Sequence, residues 1–290
     1  TVWRGAASTW VDPCDETGAA SPLDHSVFGE VLAARVQRGV LNGVETNLVD
    51  YAALRQDPSR LRAYLRQLCN LDLVPMSKAE ALAVLINAYN ALMLAIVVHY
   101  APKSSVKELH QRVPEGSIWK HKFLTLTGAK VSLDDIEHGM IRHAGFASDF
   151  GAAGRMHSGV NCASLSCPDL LAVPFEAATL DEQLTESTRQ WLSNPTKNQG
   201  PTDSGKLRLN KIFDWYGGDF VQAAGSVQAF VRQYTNWQVA DNAELVFMEY
   251  DWTLNAVNGT TWAGAACHMA WPGAAAAVAL GSMVFLAARA

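Results

Sequence analysis

The reading of the fold turns on Met76-Ser77-Lys-Ala-Glu80-Ala-Leu-Ala-Val-Leu-Ile-Asn87-Ala-Tyr89-Asn90-Ala-Leu-Met-Leu-Ala-Ile-Val-Val-His99. Ser77 followed three residues later by Glu80 is a capping-box signature, in which each side chain satisfies an otherwise orphaned backbone N–H of the first helical turn. The residues behind it are apolar on nearly every face rather than along one stripe. A helix of that kind is enclosed by other elements, so the stretch predicts a long helix central to the core. Asn87 and Asn90 lie three apart and therefore on one face of it. An unpartnered buried amide costs ~1–3 kcal/mol, so each needs a partner. They either pin nearby loop backbone or orient a histidine or a substrate carbonyl.

Outward from this helix, His25 to Gly39 carries Val27, Phe28, Val31, Leu32 and Val36 at helical spacing. Asp50 to Leu68 reads as one helix interrupted at Pro58, or two short ones meeting there. Phe123–Thr127 and Val131–Leu133 flank Gly128 as a β-hairpin, and Ser132 caps a helix that carries Glu137 and His138. Arg155 to Val160 reads as a short strand delivering Asn161-Cys162 at its end. Helices are expected over 179–192 and 227–234, a turn of helix over 211–220 and a short strand over 207–209. The expected class is α+β: a mainly helical single domain over 25–255, with a few short antiparallel strands, after an extended lead-in over 1–24.

Composition narrows the function classes. Of 290 residues, 49% are AVILMFWYC and 18% are charged, which supports a real core and excludes whole-chain disorder. Twenty-three Lys plus Arg against 28 Asp plus Glu give −5, leaving no basic surplus for nucleic acid. Five cysteines are too few and too scattered for a disulfide scaffold, and their spacing alone does not fix the redox compartment.

The C-terminal tail, 256–290, carries a second expectation. Residues 270–288 form an apolar run of about the ~20 residues that span a ~30 Å hydrocarbon core. Arg289 stands at one end, and Trp262 and Trp271 mark the other interface. A buried C-terminal helix is the alternative. Gly273, Ala277 and Gly281 give a small-xxx-small spacing that lets helix backbones approach closely in a membrane, which points to other membrane-protein subunits as partners. His268 is read as structural rather than as a haem or chlorophyll ligand, and no cofactor is expected. Asn258-Gly-Thr260 matches a glycosylation acceptor, which with Thr1 in place of an initiator methionine agrees with a lumenal or extracellular domain.

The stretch with the most chemistry is His157-Ser-Gly-Val-Asn161-Cys162-Ala-Ser164-Leu-Ser166-Cys167-Pro168. A cysteine at a strand end, followed by small and hydroxyl residues, is where backbone N–H groups can line an oxyanion hole. As a nucleophile Cys162 would act as thiolate and need a base or a cationic neighbour. On a strand, His157 would face away from it, and His138 would have to arrive from another element. A Cys162–Cys167 disulfide, a buried inert thiol pair and half of a metal site stay open beside catalysis.

With these motifs the chain resembles the bacterial and plant "domain of unknown function 547" group. The likeness runs from Asp50-Tyr51 to Leu254-Asn255. It is carried by the Met76–Ala91 stretch, Val131-Ser-Leu-Asp-Asp-Ile-Glu137-His138-Gly and His157–Pro168, followed by Lys211-Ile-Phe-Asp-Trp215-Tyr216-Gly-Gly-Asp219-Phe220 and Phe247-Met-Glu-Tyr250-Asp251-Trp252-Thr-Leu-Asn255. The resemblance implies a cysteine-centred site, with Asn87, Asn90, Glu137, His138, His157, Cys162 and Cys167 as candidates. Leu85 stands where the family usually has Trp, and Ala163 where it has Gly; a Cβ at 163 matters if the position needs a positive φ. Three functions are weighed from all this. The first is a membrane-tethered accessory subunit of a larger complex in an energy-transducing membrane such as a photosynthetic (thylakoid) or respiratory one. The second is a thiol hydrolase or acyl transferase with Cys162 as nucleophile, His138 or His157 as its base and an asparagine orienting that base, and the third is a zinc or redox thiol module.

Overall fold

In a computed structural model of the chain the capping box forms: Ser77 Oγ accepts from the Glu80 N–H at 3.2 Å and Glu80 Oε2 from the Ser77 N–H at 2.8 Å. The helix it opens runs Lys78–Tyr100 and ends where Ala101 turns left-handed. It is long and apolar enough to cross a membrane, with a mean hydropathy of 2.2, but its apolar window is wholly buried inside the protein. It is a core helix, around which the rest is assembled. Residues 10–16, 21–69, 71–142, 146, 150, 152–202 and 204–257 are described. The tail expected to span a membrane lies outside them.

In chain order the elements are α1 (His25–Arg35), β1 (Val36–Leu41), β2 (Val44–Val49), α2 (Tyr51–Gln56), α3 (Ser59–Gln67) and α4, the central helix. Then come β3 (Leu124–Leu126), β4 (Ala129–Val131), α5 (Asp135–Ile141, wound as a π-helix), α6 (Ala152–Gly159), α7 (Leu180–Ser193) and β5 (Leu207–Leu209). The last are α8 (Ile212–Trp215), α9 (Gly217–Ala224), α10 (Val227–Tyr234) and β6 (Leu245–Phe247). The class is α+β and mainly helical. The β1–β2 and β3–β4 pairs are antiparallel, whereas β5–β6 is parallel, a departure from the antiparallel expectation.

Two further readings are corrected. The helix from His25 stops at Arg35, and Val36–Leu41 is a strand. The signal for it is Asn42-Gly43, both at positive φ (52° and 78°), as a two-residue hairpin with the strand twist requires. Residues 155–160, read as a strand, belong to α6, except for Val160 just beyond it. Six residues show too little periodicity to separate the two states. Packing decides: Arg155 Nη2 pairs with Asp181 at 2.7 Å and Ser158 Oγ meets Thr188 Oγ1 at 2.9 Å, both across to α7. Gly154 lies against the rings of α9 and α10, where a Cβ would stand 2.6 Å from Phe230 Cε2 and 3.0 Å from Phe220 Cδ1. Gly154→Ala is expected to destabilise by ~1–3 kcal/mol through overpacking, read from the denaturation midpoint.

Two apolar clusters result. The larger surrounds α4 with Phe28, Tyr64, Phe123 and Phe175; the smaller gathers Trp191, Phe213, Phe220 and Phe230. A disulfide joins Cys14 to Cys69. With Trp10 Nε1 donating to the Phe123 carbonyl at 2.7 Å, it ties residues 10–16 to the domain instead of leaving them as an extended lead-in.

Candidate active site

Where the two clusters meet there is a cleft of about 270 Å³, with Tyr89 and Trp119 on one side and Ile212, Tyr216 and Tyr250 on the other. Its floor is the loop that follows α6. Asparagines hold that loop in shape. Asn90 Nδ2 donates to the Gly159 carbonyl at 2.8 Å, and its Oδ1 accepts from Asn161 N–H at 2.9 Å. Asn161 closes the turn on itself, accepting from Ala163 N–H and donating to the Pro168 carbonyl at 2.7 Å. Asn255, itself fixed by Tyr51 at 2.8 Å, backs the loop from the C-terminal segment, its N–H donating to the Ala163 carbonyl. Asn87 does a related task elsewhere, donating to and accepting from the backbone of Phe175, with His25 Nδ1 also 3.3 Å from its Nδ2. The two amides of the central helix thus pin backbone, Asn87 also meeting a histidine outside the cleft, and neither lines the cleft.

Ala163 stands at φ 62°. A non-glycine residue there costs roughly 1–2 kcal/mol. Ala163→Gly relieves that strain but gains freedom in the unfolded chain, worth ~0.5–1 kcal/mol the other way. We expect the variant to be more stable by about 1 kcal/mol or less, measured by chemical denaturation.

Cys162 is half-buried in the cleft and Cys167 is buried behind it, both as free thiols. Around the Cys162 sulfur stand Cys167 Sγ at 3.0 Å, Ser164 Oγ at 3.0 Å and the Tyr250 hydroxyl at 3.1 Å. Burial works against a thiolate there. Hydrogen bonds from Cys167, Ser164 and Tyr250, and from the Ser164 N–H, outweigh it and bring the Cys162 thiol down to about 7. Cys167 is pushed the other way, by burial and by its neighbour, and so serves as the donor.

The backbone does not supply the expected oxyanion hole. The N–H of Cys162 goes to Cys167 Sγ at 3.0 Å, and that of Ser164 to the Cys162 sulfur. Leu165, Ser166 and Cys167 donate to Thr253, Asp251 and Ser164 carbonyls. With Asn161 and Ala163 accounted for above, each N–H from 161 to 167 is engaged within the protein.

Glu137 and His138 enter from the π-helical turn α5, a conformation common at functional sites. Burial, together with the nearby Cys162 charge, pushes the Glu137 carboxyl up to about 8, against a hydrogen bond from Tyr89. Glu137 is therefore a neutral acid at pH 7, facing the same cleft as an ionisable thiol. His138 reaches the cleft from another element, as it had to, whereas His157 is placed differently from the strand-based expectation. Because α6 is a helix, His157 lines the cleft alongside Cys162. Its Nε2 is bonded to Asp219 Oδ2 at 2.8 Å, and its ring stacks on Tyr216 at 4.5 Å. Burial lowers its basicity more than Asp219 raises it, so the ring is neutral at pH 7. His138 Nδ1 faces Arg142 Nη1 at 3.0 Å. Arg142 also grips Asp219 through two hydrogen bonds of 2.8 and 3.0 Å.

Sequence reasoning singled out neither Tyr250 nor the Arg142–Asp219 pair. Tyr250 and Asp219 were within reach, since both lie in the resemblance motifs at 211–220 and 247–255. Nothing in the local pattern marks Arg142. Among the described residues no group of three or more His, Cys, Asp or Glu is arranged to hold a metal ion.

Comparison with known proteins adds a family. The model described as "Protein of unknown function, DUF547" matches residues 73–192, taking in Glu137, His157, Cys162 and Cys167 and stopping short of Asp219 and Tyr250. Nothing among the curated proteins or the solved structures matches the chain.

Proposed function

For this chain, which matches the DUF547 family model over residues 73–192, we propose a cysteine-centred acyl-transfer reaction, ending in hydrolysis or in transfer to a second acceptor, with Cys162 as the nucleophile. The observation that carries it is the pairing, in one aromatic-walled cleft, of a half-exposed thiol surrounded by donors with a carboxyl held neutral at pH 7. The Cys162 thiolate attacks the carbonyl carbon, and the developing oxyanion takes a hydrogen bond from the Tyr250 hydroxyl in place of backbone N–H groups. As the bond to the leaving group breaks, Glu137 gives that group its proton, leaving a thioester on Cys162 and a carboxylate on Glu137. The carboxylate then takes a proton from water or an acceptor as it attacks the thioester, which returns the thiolate and the neutral acid. His157, Asp219 and Arg142 act as positioning residues: they hold the Tyr216 ring and one wall of the cleft. A volume of about 270 Å³ suits a small acyl group, and the rims of Trp215, Trp252 and Tyr250 suit an apolar or flat one.

The test is to incubate the protein with a series of small activated esters and thioesters and map the modified peptide by mass. An acyl adduct on Cys162, with turnover lost in Cys162→Ala, is the expected result. No adduct and no turnover above that variant would sink the reading.

The location proposed with it is lumenal or extracellular. The Cys14–Cys69 disulfide supports this, because such bonds persist mainly in oxidising compartments. Membrane tethering and subunit contacts through Gly273, Ala277 and Gly281 are a separate proposal supported by the tail's sequence alone. Gentle-detergent extraction followed by size separation tests it, since release without detergent is the result against it.

A further inference from the structure

Acyl transfer uses Cys167 only as a hydrogen-bond donor, a task a serine would perform. Yet its sulfur sits 3.0 Å from that of Cys162, and a disulfide bond of about 2.05 Å needs only about one ångström of approach. The two thiols are also unequal. Cys162 opens to the cleft, while Cys167 is 4% exposed and lies behind it, with the Val160 carbonyl 3.8 Å from its sulfur. Both thiols touch the cleft, but a reagent entering it meets the more exposed Cys162 first. That is the arrangement of an attacking thiol with its resolving partner, in a chain that already carries one disulfide at Cys14–Cys69.

We propose that Cys162 and Cys167 form a reversible dithiol–disulfide couple oxidised by a hydroperoxide. The Cys162 sulfur attacks the outer peroxide oxygen and the O–O bond breaks. The alcohol, or water from hydrogen peroxide, leaves with a proton, and Cys162 becomes a sulfenic acid. The Cys167 sulfur then attacks the Cys162 sulfur, and the hydroxyl departs as water with the Cys167 proton. Across both steps the two thiols lose two electrons and two protons, and the peroxide is reduced. Ser164 and Tyr250 stand where they can hydrogen-bond the departing oxygen in each step. A thiol such as dithiothreitol reverses the bond by exchange. The disulfide removes the Cys162 thiolate and so switches off acyl transfer; that consequence rests on the function proposed above, whereas the oxidation itself does not.

The test uses the full chain, treated with hydrogen peroxide, blocked with N-ethylmaleimide and mapped by mass, with a Cys267→Ser background to remove the fifth cysteine. Cys162 and Cys167 are expected to lose alkylation together, to be recovered as one internally linked peptide lighter by two hydrogens, and to regain both thiols with dithiothreitol. In Cys167→Ser, a sulfenic acid trappable by dimedone accumulates on Cys162 instead. Either of two results in the wild-type chain overturns the proposal: Cys162 carrying sulfenic or sulfinic acid while Cys167 still alkylates, or both thiols surviving peroxide. Ester turnover, measured separately, reports on the acyl-transfer function, so the two can fail independently.

Discussion

Glu137→Gln is expected to lower kcat for ester or thioester turnover by ~10²–10⁴-fold, the usual worth of a positioned acid. The amide copies the shape and neutrality of the acid that the fold already buries, so structure is retained while the transferable proton is lost. The pH profile separates this from a packing defect. Activity in the wild-type chain rises as pH climbs through about 7, where Cys162 ionises, and falls through about 8, where Glu137 gives up its proton. In the variant the falling limb disappears. Stability carries the same signature. The folded-state value of Glu137 lies above its ordinary 4.5, so its contribution is fully present below about 4.5 and is lost as pH rises through about 8. Glu137→Gln should flatten that slope in urea titrations from pH 5 to 9. An unchanged kcat and an unchanged profile would remove Glu137 from the mechanism.

Asp219→Ala is expected to cost about 3 kcal/mol of folding stability, the low end of what breaking a buried ion pair costs. The estimate sits at that end because Arg142 keeps 22% of its side chain in solvent, whereas His157 keeps only 2%. Removing the carboxylate strands the guanidinium and leaves the His157 N–H without its acceptor. The pH dependence again has a definite sign. Burial opposes ionisation of Asp219, but His157 and Arg142 hold it down at about 2. Its contribution is complete above the ordinary value of 3.8 and is lost as pH falls through about 2, so wild type and variant should converge in acid. Asp219→Asn, which keeps the shape and one acceptor, should recover part of the loss. Equal denaturation midpoints at pH 7 for the wild type and Asp219→Ala would show that the network carries no stability.

Much of the architecture was legible because its causes are local. The capping box of α4, its apolar circumference, the break at Pro58, the β3–β4 turn and the cap at Ser132 each depend on residues within about four positions of one another. The site was legible as a place rather than as a mechanism. Cys162 and Cys167 lie only five positions apart, but an extended chain would hold them ~17 Å apart, and it is the turn between them that brings the sulfurs to 3.0 Å. Asn90 was visible as an amide in need of a partner, but whether that partner was a loop or a substrate depended on what packed against α4. Where the local signal was weak, as in residues 155–160, the strand reading failed, and with it the expectation that His157 turns away from the cleft.

The sequence by itself determined the central helix, the mainly helical α+β class and the stretch of chain in which the thiols reside, since hydrogen-bond reach and burial periodicity along one segment are enough for these. Only the tertiary structure decided what each thiol faces. Tyr250 comes from 88 residues away and Asp219 meets His157 across 62, so their contacts depend on how the two apolar clusters close on each other. The same closure removes water from Glu137 and makes it an acid at neutral pH. A carboxyl's proton affinity follows from its surroundings and not from its neighbours in the chain.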